Sequence, residues 1–530
     1  MTSEDREKII SNDYADLIIN YSGDTSVFNK FKDATVQIIN NYYAVVYVPV
    51  SQITEKTIVE QGYSAIPLLF GLVSQASLEA SGIIRIRNIP NFNLRGQGVL
   101  IGIIDSGIDY TNPIFQYVDK TTKILSIWDQ TIVSENFPKD FYYGTEYTRD
   151  QINEALKSGA PLEMVPSTDT NGHGTMLAGI AAGNEVPESG FYGVAPEAEI
   201  VVVKLKQAKD YLRSFFGINE NVACYQENDI QFGLGYLVEA AQKVNRPIAI
   251  CIAVDTSQYA HDGRGNTSSI LSIQAGHTGI AVLLAAGNEG NARRHYYGTV
   301  DPIAGYDTVE LNIGDNEGDF FMEFWGDSPS TFSIDITTPT GEYIPRIVST
   351  LDENRVVSFI FEKTILYIDY QMVESQSGDQ LILVRFRNPA PGIWRFNVYG
   401  RGDLGLGFHI WLPMAGFISD NTYFIRSNPY TTLLSLACAR EPITVTAYNP
   451  EDDSLYMNSS RGNTRIDVIK PDIAAPGVNI ISPALDQSFT EVSGTSAAVA
   501  HTTGVAAMLL EWGIVKKHLP VIDGLDIKIL

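Results

Sequence analysis

The chain has 530 residues, of which 44% are hydrophobic and 19% charged, a globular composition with room for two or three domains. Its formal net charge of −25 argues against nucleic acid or anionic membrane as a main partner, because such a chain repels polyanions. Three cysteines far apart in the sequence predict free core thiols, and we expect no disulfide framework, no metal site and no other cofactor.

The N-terminus shows no pattern of a targeting segment. Residues 1–8 are polar and lack the apolar core of a secretory signal. No apolar run approaches the roughly 18 residues that a membrane helix needs. We therefore expect a protein without a membrane span that is made in the cytoplasm and kept there or in a compartment derived from it.

The first 75 residues predict a small α+β unit. Residues 34–50 are rich in Val, Ile and Tyr around an Asn40-Asn41 turn, a pattern typical of paired strands. A helix-like stretch follows at residues 53–61, and the run 68–79 leads into a second unit.

From Gly96 onward the pattern becomes an alternation of apolar strands and helices. Fully apolar runs predict parallel strands buried on both faces. These runs are residues 99–104, 200–203, 248–254 and 280–284, with helical stretches at 175–182 and 231–243 between them. The pattern indicates an α/β domain with a doubly wound parallel sheet, made of residues 76–299 and 431–530.

Residues 300–430 interrupt that alternation. They contain short β-rich runs separated by turn clusters such as Pro339-Thr340-Gly341. Many short strands at this spacing predict an antiparallel sandwich or jelly roll inserted into the α/β domain.

Four polar residues at the ends of predicted core elements point to chemistry. Asp105 ends an apolar strand, His173 stands between two glycines before an apolar helix, Asn288 follows another strand, and Ser496 opens a helix of small residues. Each alone has a structural interpretation as a cap or turn residue. Together they supply a base-orienting acid, a general base, an oxyanion donor and a nucleophile, with the triad in the order Asp, His, Ser.

The sequence blocks around these residues resemble the four signature blocks of the subtilase (subtilisin-like serine protease) family. The blocks are residues 103–108, 171–175, 285–288 and 493–496, and residues 193–196 resemble a further family segment. The resemblance implies peptide-bond hydrolysis through an acyl-enzyme, in which Ser496 attacks, His173 transfers the proton and Asp105 holds the imidazolium. It also implies that the Asn288 side chain and the Ser496 backbone N–H bind the oxyanion.

Two segments depart from the family pattern. Residues 496–501 lack the proline that usually follows the nucleophile, a modest change that leaves the triad intact. Ala253, Val254 and Asp255 stand where the family has a Ser-Leu-Gly strand as one wall of the S1 pocket. Asp255 either attracts a basic or amide P1 side chain or is a surface acid beside the pocket, and the sequence leaves both open.

A narrower resemblance rests on the short N-terminal module, the link at residues 94–98, the extension at residues 109–113 and the β-rich insert. These features resemble the Csp germination proteases of spore-forming clostridia. The resemblance implies packaging in the spore, a jelly-roll insert, and activation of a cortex hydrolase precursor by limited proteolysis. The complete triad predicts an active member, with its own prodomain and that precursor as partners.

Three alternatives compete with this interpretation. They are another intracellular clostridial subtilase, a germination-signalling scaffold with little protease activity, and a carbohydrate-binding protein. The scaffold predicts damage to the triad, which the sequence does not show. The carbohydrate-binding protein predicts exposed aromatic residues, for which Trp325 and Trp394 are candidates, although both are equally typical of a core.

The family resemblance also implies self-processing, because a subtilase prodomain lays its last strand through the active site. It predicts a prodomain of residues 1–75 and a cut between Gln75 and Ala76, with Leu72 at P4. Cuts near Ser81 or Arg87, or no cut at all, are the alternatives. The chain stops at residues 526–530 inside a predicted strand or helix, and a longer natural chain is one explanation.

Overall fold

The computed structural model describes residues 1–32, 34–72, 93–348, 354–402 and 405–530. The N-terminal unit contains helices Ser3–Ile10 and Thr57–Gln61 and the strands β1 (Tyr14–Asn20), β2 (Thr35–Ile38), β3 (Tyr43–Pro49) and β4 (Leu69–Leu72). β1, β3 and β2 form an antiparallel sheet in that order, whereas β4 leaves it. The sequence predicted β2 and β3 but not β1.

The α/β region begins with strands whose residues are almost all buried, as the apolar runs predicted. They are β5 (Leu100–Asp105), β6 (Ile124–Asp129), β7 (Thr145–Thr148), β8 (Glu199–Lys204), β9 (Tyr225–Gln226), β10 (Ile248–Ile252), β11 (Val254–Asp255) and β12 (Ile280–Ala285). The helices between them are Arg149–Lys157, Pro161–Met164, His173–Ala182, Asp210–Phe216, Glu227–Lys243 and Asn266–Ala275.

The inserted region consists of two antiparallel sheets around a core of their own. Its strands are β13 (His295–Thr299), β14 (Tyr306–Ile313), β15 (Phe320–Gly326), β16 (Thr331–Thr337), β17 (Tyr343–Ile347), β18 (Asn354–Ser358), β19 (Ile365–Gln371), β20 (Gln380–Arg387), β21 (Gly392–Arg401), β22 (Gly407–Trp411) and β23 (Tyr423–Phe424). The sheet orders are β13-β22-β15-β20-β19-β18 and β17-β16-β21-β14-β23. Side chains of both sheets meet in one apolar cluster, which is the packing of a β-sandwich.

The chain then returns to the α/β region. Its last strands are β24 (Ile443–Tyr448), β25 (Ile473–Pro476), β26 (Ile480–Pro483) and β27 (Phe489–Val492), followed by helices Thr495–Leu510 and Gly524–Ile529. The main sheet has the order β25-β24-β12-β10-β5-β8-β6-β7, and only β7 runs antiparallel to its neighbour. The predicted α/β fold with a large parallel sheet is confirmed.

The helix that starts at Thr495 is more apolar than expected from the sequence. With its π-helical continuation it spans Thr495–Val515, which is long and apolar enough to cross a membrane. In the fold, however, 72% of its most apolar window is buried, because the helix packs on the main sheet and against helix His173–Ala182. The expectation that no apolar run reaches membrane length was therefore wrong. The apolar character of this helix is explained by its burial in the core.

Candidate active site

Asp105 lies at the carboxyl end of β5, where parallel sheets present their functional groups. Hydrogen-bonded pairing of β5 with β10 and β8 fixes the strand on both sides. The carboxylate is fully buried, and its Oδ1 accepts the Ser106 backbone N–H at 2.7 Å. Both the position and the orientation of this acid are therefore set by the sheet.

His173 is the first residue of its helix and connects Asp105 to Ser496. Its Nδ1 lies 2.9 Å from both carboxylate oxygens of Asp105, and its Nε2 lies 3.1 Å from Ser496 Oγ. The helix start fits closely against the loop after β5, since a Cβ at Gly174 would lie 2.1 Å from the Gly107 carbonyl oxygen. The glycine after the histidine thus allows the approach that brings His173 to Asp105.

Ser496 is the second residue of its helix. Gly494 precedes the helix with a φ of 150°, a backbone angle that favours glycine. The nucleophile's own N–H therefore belongs to the helix N-terminus, where the backbone N–H groups and the helix dipole favour negative charge. This is the place where an oxyanion would be stabilised.

Asn288 stands beside the start of the same helix. Its Oδ1 accepts the Thr495 backbone N–H at 3.2 Å, and the preceding Gly287 N–H donates to Thr495 Oγ1 at 3.1 Å. A carboxamide held through its oxygen presents its NH₂ group as a donor. The structure thus places the four predicted catalytic residues, 105, 173, 288 and 496, around one point.

Asp169 is a site residue that the sequence analysis missed. Its Oδ1 accepts from the backbone N–H groups of Asn171 and Gly172 at 3.0 and 2.8 Å and from Ser106 Oγ at 3.0 Å. Its Oδ2 accepts from both the N–H and the hydroxyl of Thr175. This buried carboxylate therefore holds together the loop before His173, the first helical turn and the residue after Asp105. The signal was an Asp two residues before Asn171-Gly172, which is typical of a turn but does not reveal the distant partner.

A three-stranded sheet beside the triad has the order β11-β4-β9, so a strand from the N-terminal unit lies between two strands of the α/β region. Gly71 and Leu72 pair antiparallel with Asp255 and Val254, and Phe70 pairs with Tyr225. β11 follows the carboxyl end of β10, and the end of β10 pairs with the residue before Asp105. Since β4 is antiparallel to β11, β4 runs toward this end and therefore toward Asp105. The segment before the predicted cut thus occupies the position of an extended peptide. Gln75 and Ala76 lie outside the described residues.

The three predicted S1 residues are buried beside this strand, and Asp255 is only 2% exposed. The interpretation of Asp255 as a surface acid was therefore wrong. Its carboxylate accepts backbone N–H groups of Thr256, Leu436 and Ala437 at 2.7 to 3.1 Å, because a buried carboxylate needs donors. Burial raises its pKa to about 7, although these hydrogen bonds lower it. The carboxylate thus connects β11 to segment 436–437, and its role toward a P1 side chain stays a prediction.

Comparison with known proteins identifies the class. The sequence profile of the Subtilase family matches residues 96–305 and 425–515, more than half of the chain, and the chain belongs to this family. The resemblance to subtilases is thereby confirmed.

Individual relatives add detail. The structure of the CspB protease of Clostridium perfringens has a TM-score of 0.74 and 30% sequence identity, covering 85% of this chain and 89% of that one. This chain is thus a CspB-like subtilase. Subtilisin-like protease SBT3.8 of Arabidopsis thaliana is 24% identical over 485 residues, 80% of this chain and 57% of that protein. C5a peptidase of Streptococcus pyogenes is 23% identical over 449 residues, which cover 78% of this chain and 34% of that protein. The chain therefore spans just over half of the plant relative.

Proposed function

We propose that this protein is a serine endopeptidase that hydrolyses peptide bonds through an acyl-enzyme. The observation that carries the proposal is the single histidine within hydrogen-bond distance of both a buried carboxylate and a serine hydroxyl. Ser496 Oγ attacks the scissile carbonyl as His173 Nε2 takes its proton, and Asp105 stabilises the imidazolium. The Asn288 NH₂ and the Ser496 N–H donate to the oxyanion, and His173 returns the proton to the leaving amine. Water then repeats the sequence and releases the acid.

A fluorophosphonate probe tests the nucleophile directly, because it labels only an activated serine. Wild-type protein should be labelled, whereas Ser496→Ala and His173→Ala should not be, and both variants should lose cleavage of casein. Ser26→Ala, which removes the hydroxyl of an exposed serine in the N-terminal unit, is the matched control. Casein cleavage at the wild-type rate by either triad variant would refute the assignment.

The first substrate in this proposal is the chain's own N-terminal unit. β4 supports it, since this strand is held in the cleft by backbone pairing and by the Leu69 N–H, which donates to Gln258 Oε1 at 2.8 Å. The proposed cut between Gln75 and Ala76 follows the last β4 residue by three positions. N-terminal sequencing should find Ala76 in wild type and only Met1 or Thr2 in Ser496→Ala. A wild-type terminus beyond Arg87, or an uncut wild type, would contradict this site.

The cellular role we propose is activation of a cortex hydrolase precursor by limited proteolysis in germinating spores, with the protease packaged in the spore. The resemblance to the Csp germination proteases and the similarity to the CspB structure support it. Spores that produce the Ser496→Ala protein should retain the unprocessed precursor. Normal processing in those spores would contradict the proposed role. If the precursor is also processed in spores without the protein, another intracellular role is favoured; if processing requires the protein but not Ser496, a scaffold is favoured.

A further inference from the structure

A loop of the inserted sandwich covers the strand that lies in the cleft. This Met414 loop, residues 412–420, connects β22 to β23. Met414 and Phe417 are 2% and 8% exposed and pack in the core of the α/β region, whereas Leu412 and Ile418 pack in the core of the sandwich. The loop thus belongs to both cores, and its two α/β-facing side chains reach β4.

The residue of β4 under this loop is Gly71, which pairs with Asp255. A Cβ at Gly71 would lie 3.2 Å from Met414 Sδ and 3.2 Å from Phe417 Cε1. These distances are shorter than ordinary contacts between carbon atoms at about 3.5 to 4.0 Å. Gly71 is not among the glycines with a positive φ, so its backbone angle is open to any residue. Space under the loop, and not backbone conformation, therefore explains the glycine.

The Met414 loop is held in place by charged groups. Glu289 accepts the Ala415 backbone N–H at 3.0 Å and pairs with the buried guanidinium of Arg294 at 3.0 Å. Arg294 also pairs with Asp420 at 2.6 Å. Glu289 follows the oxyanion residue Asn288 in the chain. The loop is therefore fixed to the segment that carries Asn288, and moving it would take Ala415 and Asp420 away from the buried charged groups of Glu289 and Arg294.

We propose that Met414 and Phe417 make this cleft select substrates with glycine at the position that pairs with Asp255. The proposal rests on the proposed peptidase function and adds a specificity element from the insert. A substrate strand in the register of β4 places that residue directly under the two side chains. An alanine there needs a shift of a few tenths of an ångström, whereas a leucine must displace a sulfur atom or a ring from a packed core.

Self-cleavage of the full chain tests this selection. Gly71→Ala should slow the cut a few-fold and Gly71→Leu by roughly a hundredfold, the range that overpacking a fitted pocket produces. Adding Met414→Ala should recover at least about tenfold for Gly71→Leu, because it opens the space above the strand. Met164→Ala removes a half-exposed methionine from helix Pro161–Met164, and in combination with Gly71→Leu it should recover nothing.

Measurements in the Ser496→Ala background separate folding from specificity. There Gly71→Leu should lower the melting temperature and Met414→Ala should restore part of it, without any chemistry. Gly71→Leu that cuts itself as fast as wild type overturns the selection while the peptidase function stands. The selection is also overturned if Met414→Ala restores the melting temperature of Gly71→Leu but not its self-cleavage. A wild type that neither cuts itself nor binds the fluorophosphonate overturns the proposed function instead.

Discussion

Removing the Asp169 carboxylate should damage both stability and turnover. Asp169→Ala leaves five donor groups without their acceptor, of which the Thr175 N–H, the Thr175 hydroxyl and the Ser106 hydroxyl are buried. A buried donor that loses its partner costs about 1–3 kcal/mol, so these three together predict a loss of at least about 3 kcal/mol in the free energy of unfolding. The loop that sets His173 also loses its anchor, and a displacement of about 1 Å at a catalytic group can lower the rate by roughly a hundredfold.

Guanidinium unfolding and peptide hydrolysis measure these two effects. We expect a lower unfolding midpoint and a lower kcat with a nearly unchanged KM, because the hydrogen bonds described for Asp169 go to residues 106, 171, 172 and 175, none of which lies in the strands β9 and β11 that pair with β4. Asp119→Ala is the matched control, since Asp119 accepts from the N–H and hydroxyl of Thr121 in the same way but on the exposed surface. If Asp169→Ala unfolds and turns over like Asp119→Ala, Asp169 does not position the histidine.

Three further predictions address the oxyanion donor, the insert and a buried acid. Asn288→Ala should lower kcat by roughly a hundredfold or more at unchanged KM, and a raised KM with normal kcat would contradict its role. Deletion of residues 300–430 should lower the melting temperature, because Trp325 and other insert side chains pack in the α/β core; a deletion protein that melts like its parent would make the insert dispensable. Burial raises the pKa of Glu323 to about 7, against hydrogen bonds from Tyr63, Trp325 and the Tyr259 N–H that lower it. Between pH 4.5 and about 7 the folded chain holds a proton on Glu323 that the unfolded chain has lost. The free energy of unfolding therefore falls as the pH rises through this range. Unfolding free energies should show Glu323→Gln gaining about 3 kcal/mol on wild type across that range, and a constant difference would refute the shift.

The N-terminal unit shows where sequence patterns fail to predict strands. β1 escaped prediction because Asp16 interrupts its apolar pattern. In the fold this carboxylate is buried and pairs with Lys209, and it accepts from the side-chain amides of Gln226 and Asn228 at 2.8 and 2.9 Å. All of these partners lie about 200 residues further along the chain. An acid in a strand can be recognised as buried only when the groups that neutralise it are known.

The four residues that the structure brings together, 105, 173, 288 and 496, could be singled out from the sequence because each carries its own local pattern, a strand end or a helix start next to glycine. Asp169 carries no such pattern, and Asp255 follows a predicted strand, but in neither case does the local sequence reveal the distant partner, which is the Ser106 hydroxyl for Asp169 and the backbone of segment 436–437 for Asp255. Met414 is further removed still, because it reaches the cleft from a region with a separate core. Short motifs therefore define the chemistry of this site, whereas the shape of its cleft depends on contacts between regions. The glycine at position 71 shows the difference, since nothing in its neighbours in sequence explains it and two side chains 343 and 346 positions away do.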